Sequence, residues 1–205
     1  MMRVVIAEDD SIVELGLRRM LKSLGHQVVG SARNGEEAVQ LVQDKHPHMA
    51  VLDIRMPEVD GLEAAKRITE KSPVAILMLT AFTEHKLIKK AAESGAFAYL
   101  VKPVTMNQLD AAMNLAMARF KDQRHLKKKA EHLENELENR KLIDKARHIL
   151  AGYLGISESE ALNRIQGESR RQRRKIEETA KAIIATCEIM SRPAPYAGRR
   201  EGEGT

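Results

Sequence analysis

A chain of 205 residues with a net charge of +5 and a single cysteine can bury a full domain and a smaller second one without disulfides. It contains no apolar run near the ~20 residues needed to cross a bilayer, and its first residues lead straight into a strand rather than an export signal, so a cytoplasmic protein without a membrane partner is predicted. Residues 121–205 hold 19 Lys+Arg against 14 Asp+Glu, while residues 1–120 hold 15 of each, which makes the C-terminal part the candidate for a polyanionic partner.

From Met1 to about Phe120, short β-branched runs alternate with amphipathic stretches. Strands are predicted at about Arg3 to Ala7, Gln27 to Gly30, Met49 to Asp53, Val74 to Thr80 and Phe97 to Val101. Ile12, Leu15, Met20, Leu21 and Leu24 keep helical spacing behind Asp10, which is placed to cap that helix. Ala38, Leu41 and Val42 follow an Asn34-x-x-Glu37 capping box. Leu62, Ala65 and Ile68 form a third apolar face, and Leu87, Ile88 and Ala91 a fourth. Strict βα alternation predicts a parallel sheet with helices on both faces.

Three of the strands run into charge. Val4 to Ala7 ends at Glu8-Asp9-Asp10, Val51-Leu52 ends at Asp53 before Pro57 breaks the chain, and Tyr99 to Val101 ends at Lys102-Pro103. Side by side, these tips crowd carboxylates around one ammonium, and unpaired like charges raise one another's pKa and cost stability. A divalent cation relieves the crowding, and oxygen donors suit magnesium. Doubly wound sheets bind ligands at the carboxyl ends of strands where strand order reverses, which in the flavodoxin-like order 2-1-3-4-5 lies between the first and third strands. Topology and charge therefore select the same place.

Glu8-Asp9, Asp53-x-x-Met56-Pro57-x-x-x-Gly61, Thr80-Ala81 and Lys102-Pro103 together resemble the receiver domain of two-component response regulators, in its order and approximate spacing. The position of Glu8 is more often Asp in that family. The resemblance implies that Asp53 accepts a phosphoryl group from a sensor histidine kinase. It implies Mg2+ held by Asp53, Asp9 and the backbone carbonyl of Arg55, with Glu8 acting through water. Lys102 would pair with the phosphoryl oxygens, and Thr80 would donate a hydrogen bond to one of them. Tyr99 has a plain reading as a core residue; in receivers its position is an aromatic switch that turns inward when the Thr80 hydroxyl moves. His85 has two readings, a surface helix residue or a group that tunes phosphate lifetime.

After Pro103 one helical tract runs without glycine to Gly152. Leu109, Met113, Ala116 and Phe120 make one stripe, and Leu126, Ala130, Leu133 and Leu137 make another in a different phase. The polar segment 121–125 between them marks a register change or a joint. Residues 1–120 are assigned to the first domain and 121–138 to a coiled-coil linker, with packing inside the chain as the alternative for the second stripe.

Residues 139–190 read as a three-helix bundle. Leu142, Ile143, Ala146, Ile149 and Leu150 give the first helix, Ser157-Glu158-Ser159-Glu160 caps a second containing Ala161, Leu162 and Ile165, and Ile176, Ala180, Ile183, Ile184 and Cys187 define the third. Cys187 is thus a core position. No catalytic constellation is visible, so the chain is read as a phosphoryl acceptor with at most slow autodephosphorylation rather than an enzyme. Asn139 to Ala146, Ser157-Glu158-x-Glu160-Ala161, Ser169 and the Ala180 helix resemble the ANTAR domain, an RNA-binding antitermination module; many members carry methionine where this chain has Arg170.

The residues themselves show a basic surface of Arg170, Arg171, Arg173, Arg174 and Lys175, with Lys141, Lys145, Arg147 and Arg164 as additions. The plain reading is a solvated face. Tyr153 is the single aromatic residue between Lys121 and Met190, so cationic contacts to phosphates and loop bases suit this surface better than an aromatic platform. The resemblance implies paired RNA hairpins in a leader that overlaps a terminator, and the leading reading is that a homodimer formed on phosphorylation binds them. A DNA-binding regulator and a protein-interaction adaptor are the alternatives. Residues 191–205, rich in Gly and Pro, are predicted to be disordered.

Overall fold

The computed structural model describes residues 1–81 and 95–190, without the Met190 side chain. The fourth amphipathic stretch, His85 and the tail from Ser191 lie outside the described residues. The chain divides into two compact units, Met1–Leu126 and Lys127–Thr205.

The first unit is built on five parallel strands, β1 (Arg3–Ala7), β2 (Gln27–Ala32), β3 (Met49–Asp53), β4 (Ala75–Thr80) and β5 (Ala98–Val101), in the order β2-β1-β3-β4-β5. The predicted strand order is thus observed, and β2 extends two residues beyond its predicted end. Side-chain alternation divides the core. Val4, Ile6, Met49, Val51, Ala75, Leu77, Leu79 and Ala98 face one layer, and Val5, Ala7, Ala50, Leu52, Ile76 and Met78 face the other.

Helix α1 (Ser11–Ser23) covers the first layer through Leu17 and Leu21. Asp10 caps it, accepting from the N–H groups of Ile12 (2.7 Å) and Val13 (3.2 Å). Leu21 is buried and Met20 and Leu24 pack on the core as predicted, whereas Ile12 is 82 % exposed and Leu15 46 %, because in the first turns the inner positions are taken by Val13 and Leu17. Helices α2 (Gly35–Lys45) and α3 (Gly61–Lys71) cover the second layer. In α2 the capping box forms with a shifted return bond. The Asn34 side chain accepts from Glu37 N–H at 2.8 Å, and Glu37 accepts from the Arg33 N–H at 2.9 Å.

Helix α4 (Met106–Leu154) contains both predicted stripes. Its Leu109, Ala112, Met113 and Ala116 complete the first layer. No joint interrupts the segment 121–125; without proline or glycine there, a change of apolar phase leaves the backbone ladder intact. Residues 121–138 are exposed throughout, so the second stripe is not packed within the chain.

In the second unit the C-terminal part of α4, helix α5 (Glu158–Gln172) and helix α6 (Ile176–Met190) enclose Ala146, Ile165, Ala180 and Ile184. Cys187 is buried, as predicted. Ser157 caps α5, accepting from Glu160 N–H at 3.2 Å. Helix α4 passes through Gly152 and stops at Leu154, next to Gly155 with φ +63°.

One glycine decides the geometry at the acidic rim. A Cβ on Gly61 would lie 1.9 Å from the carbonyl oxygen of Asp53, and Gly61 N–H donates to the Ile54 carbonyl at 2.9 Å. Helix α3 therefore begins against the backbone that carries the Asp53 carboxylate. Gly61→Ala is expected to force that backbone apart and destabilise the unit by roughly 1–3 kcal/mol, measured as a lower urea midpoint; an unchanged midpoint would refute this constraint.

Candidate functional site

The acidic rim follows from strand parity. Glu8 continues the alternation of Val4 and Ile6, Asp53 that of Met49 and Val51, and Lys102 that of Ala98 and Leu100, so all three belong to the same side of the sheet. The register of β1 on β3, Ala7 opposite Leu52, sets Glu8 beside Asp53. Lys102 directly follows β5, two strands from β3, and its four-carbon stem spans that gap past the end of β4.

The Lys102 ammonium lies 2.6 Å from Glu8 Oε2 and 2.9 Å from Asp53 Oδ2. Glu8 and Asp53 are buried and Asp9 is exposed, and one oxygen from each of the three carboxylates falls within 4.8 Å of the others. Burial pushes the Glu8 carboxyl above its ordinary range, aided by the Asp53 charge and opposed by Lys102. For Lys102, burial acts to lower the pKa, but the bonds to Glu8 and Asp53 outweigh it and hold the ammonium above the usual lysine value. Three hard oxygen donors around one point, two of them sharing a single counter-charge, fit a magnesium-sized cation.

Of the remaining predicted rim residues, Thr80 is buried at the tip of β4 and its carbonyl accepts from Lys102 N–H at 2.7 Å. Tyr99 is 47 % exposed on β5, so its plain core reading does not hold. Arg55 follows Asp53 by two residues in the loop that leads to α3. A group that the sequence reading missed adjoins the rim: Glu14 accepts from Arg18 (2.7 Å) and from the Ser31 hydroxyl (2.6 Å), and a pocket of about 210 Å3 lies among these residues, Glu8 and Arg33. The Glu14 and Arg18 spacing is a readable sequence signal; the approach of Ser31 from β2 depends on the sheet.

In the second unit the basic residues fall into two groups. Arg164 pairs with Glu160 (2.9 Å), Arg171 with Glu168 (2.6 Å) and Lys145 with Glu188 (2.9 Å). Arg147 pairs with Asp144 (3.3 Å) and Glu158 (3.1 Å), and its Nε is buried without a hydrogen-bond partner among the described residues. These cations are already neutralised within the bundle. Lys141, Arg170, Arg173, Arg174 and Lys175 form no ion pair among the described residues. Four of those five gather at the turn between α5 and α6. Arg170, where methionine is common in the family resembled, is exposed, so its charge remains in solvent.

That turn is locked by Ser169. Its hydroxyl donates to the Arg174 carbonyl at 2.7 Å, and Arg174 N–H donates to the Ser169 carbonyl at 3.1 Å. Arg173 holds the left-handed C-cap conformation, φ +53°, a place that glycine usually fills because a Cβ is strained there.

Family models match this chain twice: a response regulator receiver domain over residues 4–114 and an ANTAR domain over residues 131–184. The transcriptional regulatory protein PdtaR of Mycobacterium tuberculosis is 36 % identical over 184 residues, 90 % of each chain. The regulatory protein YesN of Bacillus subtilis is 34 % identical over 68 % of this chain and 39 % of its own. Among solved structures, the receiver domain of a diguanylate cyclase from Desulfovibrio desulfuricans superposes with a TM-score of 0.56 at 32 % identity, covering 60 % of this chain and 98 % of that one. The receiver domain of NarL from Mycobacterium tuberculosis gives 0.54 at 31 %, covering 56 % and 95 %.

Two outcomes follow from this geometry. The Lys102 contribution is full below the ordinary lysine pKa of ~10.4 and is lost as pH rises through the higher folded value. Lys102→Met should remove that alkaline limb and cost roughly 1–3 kcal/mol at neutral pH. Its stability should fall as Glu8 ionises, and magnesium should recover part of it; urea unfolding against pH, with and without the metal, measures both. Arg173→Gly should raise the melting stability of the second unit by about 0.5–1 kcal/mol, read by calorimetry.

Proposed function

Since this chain belongs to the response regulators, with a receiver domain and an ANTAR domain, we propose that it is a phosphorylation-controlled RNA-binding antiterminator. The observation that carries this reading is the presence, in one chain, of a lysine-bridged carboxylate cluster and a bundle in which four cations that form no ion pair among the described residues gather at one turn.

In this reading Asp53 is the phosphoacceptor. A carboxylate oxygen attacks the phosphorus of a phosphohistidine on a sensor kinase, the P–N bond breaks and an acyl phosphate forms. Glu8, Asp9, Asp53 and the Arg55 carbonyl would hold Mg2+, which supplies the charge that lets two anions meet. Lys102, already bonded to Asp53 Oδ2, transfers its hydrogen bond to the new phosphoryl oxygens. The Thr80 hydroxyl donates to the same group, and Tyr99 on the adjoining strand moves inward as Thr80 shifts.

The readout is pairing of two copies. Leu126, Leu133 and Leu137 are 65 %, 54 % and 54 % exposed, an apolar stripe with Ala130 that suits a coiled coil. With Ala130, Leu133 and Leu137 at a parallel seam, Lys129 of one copy faces Glu134 of the other, and Glu136 faces Lys141. So short a seam is marginal alone, which makes it dependent on receiver pairing and hence on phosphorylation. The dimer presents two basic turns to two RNA hairpins, and linked binding raises affinity through effective concentration.

Treatment with a small acyl phosphate is expected to tighten binding to a two-hairpin RNA at least tenfold, and Asp53→Asn to abolish the gain. Equal binding in all samples would remove the regulation. In a Cys187→Ser background, Leu137→Cys should cross-link to itself in the phosphorylated protein, whereas an antiparallel pairing centred on the stripe would hold the two thiols roughly 16 Å apart along the axis. Neutralising Arg173 and Arg174 to glutamine should weaken RNA binding and flatten its salt dependence; a preference for duplex DNA at matched salt would favour a DNA-binding regulator instead.

A further inference from the structure

Beside the basic turn the bundle carries an open cleft of about 320 Å3. Leu150, Ile183 and Ala182 give it an apolar interior, Glu168 and Gln172 stand at its polar wall, and Tyr153 forms its lip, 58 % exposed. A mostly apolar recess with a few convergent polar groups fits a flat ring that has a hydrogen-bonding edge.

Its position narrows the choice of occupant. Gln172 is the last residue of α5, and the next three are Arg173, Arg174 and Lys175. Ser169, one residue from Glu168, holds the Arg174 backbone at this helix end. The cations that form no ion pair among the described residues thus begin one residue from the cleft wall, within reach of a phosphodiester chain whose base enters the cleft. The Glu168 carboxylate is tied to Arg171 and Gln172 and repels a phosphate placed inside, while its remaining lone pairs accept base N–H groups.

We propose that this cleft receives one unpaired base of an RNA loop, stacked on Tyr153 with its polar edge toward Glu168 and Gln172, while the flanking phosphates lie on the Arg170, Arg173, Arg174 and Lys175 turn. The proposal rests on the RNA-binding reading and adds a base-selecting site to it. The paired cations elsewhere on α5 are then framework, and discrimination between loops comes from the cleft rather than from charge.

The test uses the full chain, treated with a small acyl phosphate, and a hairpin library with a constant stem and a randomised loop. Wild type should enrich one base at one loop position. Tyr153→Phe should keep that enrichment. Tyr153→Ala, and Ala182→Leu, which fills the recess, should each lose about tenfold or more in affinity for the enriched loop, the range of one lost base stack. Replacing the enriched nucleotide by an abasic one should lower wild-type affinity similarly, with no further loss in Tyr153→Ala. Unchanged melting in each variant excludes unfolding as the cause. Undiminished affinity and enrichment in both Tyr153→Ala and Ala182→Leu overturns the proposal. So does a change in oligomeric state with loop selection intact, which would make the cleft a self-association surface. If the Arg173→Gln, Arg174→Gln protein loses binding while Tyr153→Ala does not, the cleft falls and the RNA reading stands; if wild type binds no hairpin, both fall.

Discussion

One ammonium between two carboxylates organises the acidic rim. Lys102 sits within hydrogen-bond distance of both Glu8 and Asp53, and without it two buried anions would face each other across adjoining strands. Burial raises Glu8 and would depress Lys102; the contact between them reverses the second effect. The cluster is thus stable and still short of positive charge, with three carboxylates set against one lysine. A site in that condition has the chemistry to hold a cation.

The scaffold serves this arrangement through backbone approach as much as through side chains. Gly61 starts α3 against the Asp53 carbonyl, which fixes the carboxylate from below. Glu58, in the loop between them, holds φ +63°, a left-handed conformation uncommon for a residue with a Cβ. Such local strain is retained where surrounding structure over-determines the chain.

The second unit separates structural charge from available charge. Along α5, Glu160 with Arg164 and Glu168 with Arg171 form a ladder of surface pairs that contributes little to stability but cancels the field of that face. The turn at Arg173 behaves oppositely: a strained arginine stands where glycine is the more stable choice, and it and its neighbours form no ion pair among the described residues. A Cβ in that conformation costs stability, and the turn places four cations close together in the chain. The stripe from Leu126 to Leu137 is exposed along the helix that leads into this bundle.

Much of this was legible in the residues. Continuous β-branched runs and period-3.6 patterns determined the strands, their alternation with helices and the three-helix bundle, because a parallel sheet buries both faces of its strands while each helix buries one. Asp10, Asn34 and Ser157 announced their caps through local chemistry, and the carboxylates and lysine at three strand ends marked the rim. Tertiary structure alone decided the inner phase of α1, where Val13 and Leu17 rather than Ile12 and Leu15 meet the sheet. It also decided the exposure of Tyr99, the approach of Ser31 to Glu14, and the division of nine candidate cations into paired and unpaired groups. These depend on register between distant elements. A charge in a sequence is always available, whereas in the fold it is available only if no carboxylate has been brought beside it.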